Sequence, residues 1–573
     1  MEERKTSISF SRWKPIEIML AVLFLVAPFY YHPNIGGEGL RIPNNITVWM
    51  TATIIIWYSL YLVLKRPTFV LPKYFGYIVA FPILITLSGF VTGVEQPLKW
   101  LFRLLFIWGG LAFFFSLFQH GLKQGRLDRI LFVIVVSALL QGLVGVAQIF
   151  LQADMPFWLP KTPNGVPTSL FQQINNHATY QVTAIMIAVY LITRPFLSRG
   201  KFWVQVSVVI AVACASFIVA ISGSRIGAIT LIIGLVIIIP ALWQCFKENK
   251  RLSLMTLFAL LIGFGIGVWQ GNDRMIDKTV AMQSGYSGST RLGIYSISLE
   301  LIKQRPIFGH GIGSFGRIFQ YAKPDFYKSH PDAILPKQYV SHPHNETLLW
   351  LVEGGLTVGV GLLSVLVGVI LALRQIGWRR GGAYAAMLLP IGLHMQVELP
   401  IYISAVYWML FVYLMAMALN GNRIIIKYEL TVAAKRLSLF VTTLISIISL
   451  LFLMHSLLSH QDFRRFYQQE NVDKPPFKTA IKNPYLSSEA MWLKMSSFLY
   501  SSIELGLNDN VKSYTEWGEQ LLLESPDIDL YKKLAAAYNH LGQKTDFCSV
   551  ISRGLQLYPE DIQLTQYNTY CMK

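Results

Sequence analysis

What most constrains this chain is a succession of apolar stretches, each long enough to cross a bilayer, joined by polar connections. A spanning helix needs about 20 mostly apolar residues. By that measure there are about thirteen candidates, centred near Phe24, Ile55, Ile83, Ile107, Ser137, Met186, Ala211, Ile233, Leu261, Val360, Leu389, Leu410 and Ile447. Composition agrees: of 573 residues, 53% are hydrophobic and 14% charged, against about 25% charged in soluble domains. The expected fold is an all-α, polytopic integral membrane protein. The first stretch, about Ile16 to Tyr31, follows a basic start (Arg4, Lys5, Arg12, Lys14) and resembles a signal peptide. No small-x-small pattern follows it, only "PFYYHPN", so a retained first helix is expected.

Basic residues fix the expected sides. After the basic N-terminus they recur in every even-numbered connection: Lys65, Arg66 and Lys73; Lys123, Arg126 and Arg129; Arg194, Arg199 and Lys201; Lys247, Lys250 and Arg251; Arg374, Arg379 and Arg380; Arg423, Lys427, Lys435 and Arg436. The short odd-numbered connections are nearly free of them. This positive-inside pattern puts the N-terminus in the cytoplasm and the C-terminal segment outside. It also accounts for the net charge of +18 without a nucleic-acid partner. The long connection 271–341 then lies outside. It contains "QRPIFGHGIGSFGRIF", whose glycines and proline suit turns and close backbone approach to a ligand.

The expected division is a membrane domain, 1–458, that includes the 271–341 loop, and an external helical domain, 459–573. In the latter, "PDIDLYKKLAAAYNHLG" and "PEDIQLTQYNTY" share Asp527, Ile528 and Leu530 with Asp561, Ile562 and Leu564. That offset fits a TPR-like repeat of about 34 residues; a plain helical hairpin fits as well. An outside position permits a disulfide between Cys548 and Cys571. Cys214 and Cys245 fall in or near spans as core residues, and the four cysteines show no metal spacing.

Five polar clusters map to the outer face. "VSHPHNETLLWLVEGGL" sets His342, His344, Asn345 and Glu346 at the mouth of a span. Arg225 lies in "ISGSRIGAIT", Arg291 in "SGYSGSTRLGIYSISLELI", Glu398 in "HMQVELPIYIS", and Gln173, Asn175, Asn176 and His177 in "FQQINNHATYQ". Each has an ordinary reading: a snorkelling or solvated arginine, a carboxylate held by backbone amides, or a helix cap. Together they describe a site between helices. Two guanidinium groups suit an anionic ligand such as phosphate, and histidine supplies a base that titrates near neutral pH. For zinc, His342 and His344 are too few; His310 and His394 are the other histidines able to converge with them, and no metal site is expected.

These residues resemble a family. "SGSTRLGIYSISLELIKQRPIFGHGIGSF" with "SHPHNETLLWLVEGGL" is similar to the shared core of bacterial O-antigen ligases, O-antigen polymerases and protein O-oligosaccharyltransferases. "QQINNHATY" and "VELPIY" resemble more particularly the PglL-type, pilin-glycosylating oligosaccharyltransferases. The likeness covers about 171–408. One departure is Ile174, where pilin-modifying relatives often carry arginine.

The resemblance implies a GT-C-like membrane glycosyltransferase of the bacterial inner membrane. Its donor would be an oligosaccharide on undecaprenyl pyrophosphate, its acceptor a periplasmic protein such as pilin, and its surroundings membrane lipid. His344 would be the general base, and Arg225 and Arg291 would hold the pyrophosphate. His342, Asn345 and Glu398 are candidates for orienting His344; Gln173, Asn175, His177 and His310 are candidates for substrate binding. The displacement would be inverting and need no metal or other cofactor. An O-antigen ligase with lipid A–core as acceptor and a polymerase are the near alternatives. A lipid-linked glycan transporter is a different class, against which the lack of two similar halves in the sequence argues.

Overall fold

A computed structural model describes residues 13–94, 96–121, 123–162, 164–271, 288–468 and 477–572. The basic residues Arg4, Lys5 and Arg12, and the part of the long connection between 272 and 287, lie outside the described residues.

All thirteen expected centres fall in helices: α1 (Pro15–Phe29), α2 (Pro43–Lys65), α3 (Phe75–Thr92), α4 (Pro97–Phe118), α5 (Gln124–Leu151), α6 (Ile174–Ile192), α7 (Phe202–Ile221), α8 (Arg225–Glu248) and α9 (Lys250–Gln270), then, beyond two helices of the long connection, α12 (Glu346–Gln375), α13 (Trp378–His394), α14 (Ala405–Leu419) and α15 (Val432–Tyr467). Among the described residues nine helices are long and apolar enough to cross a membrane. The chain is an all-α, polytopic integral membrane protein. The helices below that threshold include those most enclosed by protein. In α6 every residue from Asn176 to Ile192 is buried, and α14 is buried along nearly its whole length. A helix walled by neighbours finds partners for polar side chains that lipid would not supply.

Contacts sort the connections into two sets. At one end, Glu17 pairs with Arg126 and with Arg129 (2.8 Å), Arg194 with Asp128 (3.1 Å), and Arg66 donates to the Gln119 carbonyl (3.0 Å). All of these belong to the N-terminus or to even-numbered connections. At the other end, Asn44 donates to the Leu170 carbonyl (3.2 Å), Asn45 to that of Ile403 (2.9 Å), and His460 meets that of Leu40 (2.8 Å). These flank odd-numbered connections. The alternation read from basic residues is thus matched by a physical sorting of the helix ends. One feature departs from an all-helical reading. At the basic end β1 (Thr68–Pro72) and β2 (Arg423–Lys427) form a two-stranded antiparallel ribbon with Thr68 opposite Lys427. Each strand is too short and too isolated in sequence to announce its partner.

At the opposite end the long connection contributes α10 (Gly288–Gln304) and α11 (Phe315–Ser329). Between them, "PIFGHG" locks into a break in α12. Gly355 has φ +62° and ψ −163°, and there the amides of Leu356 and Thr357 donate to the carbonyls of Pro306 (2.7 Å) and Ile307 (3.0 Å). The amides of His310 and Gly311 return to Val352 (3.0 Å) and Glu353 (2.9 Å). A Cβ at Gly355 would lie 2.4 Å from the Ile307 carbonyl oxygen. The close approach expected of these glycines is therefore to the backbone of α12.

The C-terminal segment forms α16 (Ser487–Glu504), α17 (Asn508–Glu524), α18 (Ile528–His540), α19 (Lys544–Leu557) and α20 (Ile562–Cys571), each packed on the next. Small and aromatic residues at helical spacing, among them Leu534, Ala535 and Tyr538, bury their common face. A disulfide joins Cys548 to Cys571. This unit rests on α11: Tyr321 donates to the Leu522 carbonyl (3.3 Å), and Lys337 pairs with Glu560 (3.2 Å). Lys323 is fully buried at this seam, donates to the Pro336 carbonyl (3.0 Å) and lies 4.3 Å from the Tyr558 ring. Burial pulls its ammonium down to about 7 against the opposing attraction of Glu560.

Candidate active site

Parts of the five polar clusters are linked at the end opposite the basic connections by hydrogen bonds and one long ion pair. The hub of this network is Glu398, in the turn after α13. The carboxylate accepts from Gln173 Nε2 and from Asn175 Nδ2 (2.9 Å), faces His394 Nε2 at 3.2 Å, and lies 3.8 Å from Arg291 Nη2. Burial alone would raise the acid's pKa; the hydrogen bond and charge of His394, then the Asn175 and Gln173 amides, outweigh it and bring it to about 2. Glu398 is therefore an anion throughout the physiological range.

From Glu398 the network runs to Arg291 and to the start of the helix that Arg225 opens. Arg291 touches Glu398 directly. Arg225 opens α8 behind its N-cap Ser224, whose hydroxyl donates to Asn175 Oδ1 (2.8 Å) and accepts from the Gly227 amide (3.2 Å). Gln173 caps α6 in the same manner, accepting from the Asn176 amide (2.7 Å). Two helix N-termini and the Arg291 guanidinium thus lie close to Glu398, where backbone amides and dipoles favour negative charge. The Arg291 side chain is 40% exposed, so its long pair with Glu398 is weakly held and open to exchange for a ligand anion.

The histidine loop joins from the other side. Asn345 caps α12, accepting from the Leu348 amide (2.9 Å) and donating to the Gln396 carbonyl (2.8 Å); the Glu346 amide donates to the Met395 carbonyl (2.9 Å). These bonds tie the start of α12 to the turn that carries Glu398. His344 sits between His342 and the cap with φ +53°. A left-handed conformation costs a non-glycine residue about 1–2 kcal/mol, and such outliers cluster at functional sites. Among the described residues no side chain hydrogen-bonds to the half-buried His344 ring. Burial lowers its pKa to about 4, reinforced by His342 and Arg291 and opposed by Glu398. At neutral pH the ring is an unprotonated acceptor, as a general base must be.

Two sequence candidates take other positions. His177 is fully buried, with Nδ1 at the Pro167 carbonyl (2.8 Å), Nε2 at the Gln181 amide (2.9 Å), and Phe171 stacked on its face. Both ring nitrogens are committed to packing α6 rather than to the polar face. His310 Nε2 meets the Leu301 carbonyl (2.8 Å) and fastens the loop to the last turn of α10. Asn345 serves as a cap and tie, with both ends of its carboxamide in use.

Behind the hub, Thr179 and Tyr407 escape sequence reading, and His394, weighed there only as a metal ligand, joins them. His394 Nδ1 meets Thr179 Oγ1 (2.9 Å), and the Tyr407 hydroxyl donates to the same oxygen (2.6 Å). This buried file braces Glu398 from within the bundle. Its one local signal is the spacing of His394 and Glu398, four residues apart across a helix end. At the same face Arg103 lies 3.7 Å from Glu353 and over the rings of Tyr402 (4.9 Å) and Trp350 (5.4 Å). Glu353 in turn accepts from the Phe315 amide (3.2 Å), bracing the long connection.

Residues 210–363, which carry Arg225, Arg291 and the histidine loop, match a family model described as O-antigen ligase. Residues 383–569 match one described as the C-terminal part of a virulence factor membrane-bound polymerase, a match that runs from α13 through the C-terminal helices. No curated protein matches the chain. The two matches follow one another along the sequence and support the O-antigen ligase superfamily for this chain, a class of glycan-transferring ligases and polymerases.

Proposed function

We propose that this protein transfers a preassembled oligosaccharide from undecaprenyl pyrophosphate to a serine or threonine hydroxyl of a periplasmic protein such as a type IV pilin. The supporting observation is the network that joins the His344 loop, Arg291 and the Arg225 helix start through Glu398 at one end of the bundle. In this reading that end faces the periplasm of the inner membrane, the N-terminus is cytoplasmic, and 459–573 forms a periplasmic, TPR-like domain that receives the acceptor protein. The oxidised Cys548–Cys571 pair is in keeping with that compartment.

His344 takes the acceptor hydroxyl's proton as its oxygen attacks the anomeric carbon. The bond from that carbon to the pyrophosphate oxygen breaks, and the lipid pyrophosphate departs with its charge stabilised by Arg225 and Arg291. A single displacement inverts the anomeric configuration. The donor already carries a good leaving group, so the chemistry asks for no metal.

The ligase and polymerase family matches favour two further acceptors, lipid A–core or a second lipid-linked glycan. One experiment separates all three. The purified protein in nanodiscs receives lipid-linked oligosaccharide with pilin, with lipid A–core, or alone, and products are read by mass spectrometry. Glycopeptide in the first mixture is expected. Product in the second or third alone would assign the protein to ligases or polymerases instead.

A further inference from the structure

Of the three candidates for orienting the base, two are otherwise engaged. Asn345 spends its carboxamide on the Leu348 amide and the Gln396 carbonyl, and Glu398 is taken up by Gln173, Asn175, His394 and Arg291. His342 differs. Its Nδ1 accepts the backbone N–H of His344 at 3.2 Å, and the two rings meet edge to face with centroids 4.4 Å apart. That bond closes across Pro343 and ends on the amide of the residue held at φ +53°. The donor is a backbone amide, so Nδ1 must carry the lone pair and a neutral His342 is protonated on Nε2.

We propose that His342 is the positioning residue of this site: it holds the His344 amide, fixing the peptide plane from which the left-handed residue departs, and walls one side of its ring, so that the base meets the acceptor hydroxyl in a single orientation. The inference rests on His344 being the base. Pro343 between the two histidines limits the backbone freedom of the hairpin and restricts His342 to extended conformations. Burial lowers the pKa of His342, with Glu38 opposing, Arg103 assisting and Glu398 opposing, which keeps Nδ1 an acceptor at neutral pH.

The test compares wild type with His342→Ala, His342→Asn and His342→Gln in full-length protein in phospholipid nanodiscs. Asparagine puts an acceptor near the Nδ1 position; glutamine puts one near Nε2. Hydrogen exchange of the His344 amide, resolved by mass spectrometry, should stay slow in wild type and His342→Asn. It should quicken at least ~10-fold in the other two as the amide loses its acceptor. With lipid-pyrophosphate-linked oligosaccharide, kcat should fall about 10- to 100-fold in His342→Ala and His342→Gln with donor KM little changed, and His342→Asn should restore it. A purely structural role would instead lower thermal stability and affect the alanine and asparagine variants alike. Equal exchange in all four proteins overturns the clamp; undiminished kcat in His342→Gln overturns the positioning role. A wild type that transfers nothing overturns the functional reading on which the inference stands.

Discussion

His344→Ala is expected to lower transfer by about 10²–10⁴-fold, the usual worth of a positioned general base, with donor KM nearly unchanged because the guanidinium groups proposed to hold the pyrophosphate remain. The pH dependence carries more information than the loss itself. In the free protein the ring's pKa lies near 4 rather than at its ordinary 6.5, because burial, His342 and Arg291 all disfavour the imidazolium. A depressed pKa leaves the base unprotonated as pH falls, so kcat/KM should hold level to about pH 5 and then decline with a midpoint near 4. Bound pyrophosphate reverses part of this effect, since an anion beside the ring favours its protonated form. The acid limb of kcat, which reports the complex, should therefore lie above that of kcat/KM. Steady-state rates between pH 3.5 and 8 decide the matter. Coincident limbs near pH 6.5 would mean that His344 is either solvated or not the base.

Glu398→Ala should be the most damaging change away from the histidine loop. The Glu398 side chain is only 13% exposed and gathers three hydrogen-bond donors and one long ion pair. Its loss leaves the buried His394 and the half-buried Gln173 and Asn175 without this acceptor, at an expected cost of about 1–3 kcal/mol. It also frees Arg291 from one side and, through Asn175 and Ser224, loosens the start of the helix that carries Arg225. Misplacing the groups that stabilise the leaving charge should reduce kcat/KM about 10²-fold beyond the effect on folding. Glu398→Gln keeps one acceptor oxygen and should retain more stability than activity. Thermal unfolding and donor kcat/KM, measured on both variants, test this account. Wild-type kinetics in Glu398→Ala would remove the carboxylate from its place as hub.

Much of this architecture is legible in the sequence because a bilayer leaves few solutions. A stretch such as that around Ile233 has no alternative to a helix, and basic residues such as Arg126 and Arg194 fall on one side for reasons that need no tertiary contact. That the start of the Arg225 helix, Arg291, Glu398 and the histidine loop share one end of the bundle is legible for the same reason: the order of the helices decides at which end each connection lies. What stays hidden depends on partners far apart in sequence. Thr179 bonding His394, Asn175 bonding Ser224, and Arg103 beside Glu353 leave no periodic trace. His177 misleads because a buried histidine satisfied by a carbonyl and an amide has the same letters around it as a ligand-binding one. Gly355 is unremarkable in "VEGGL" until the Pro306–Ile307 backbone is seen lodged against it.

The central claim, that the His344 face meets donor in the outer leaflet, is tested most directly by accessibility. Ser341 is exposed beside the histidine loop, and Lys123 is exposed at the basic end. Ser341→Cys and Lys123→Cys would each be made in protein with Cys214 and Cys245 changed to serine, then treated with a membrane-impermeant maleimide in intact spheroplasts. Labelling at 341 alone, with 123 reacting only after permeabilisation, is the predicted result. Labelling at 123 with 341 protected would turn the whole site toward the cytoplasm and contradict the account.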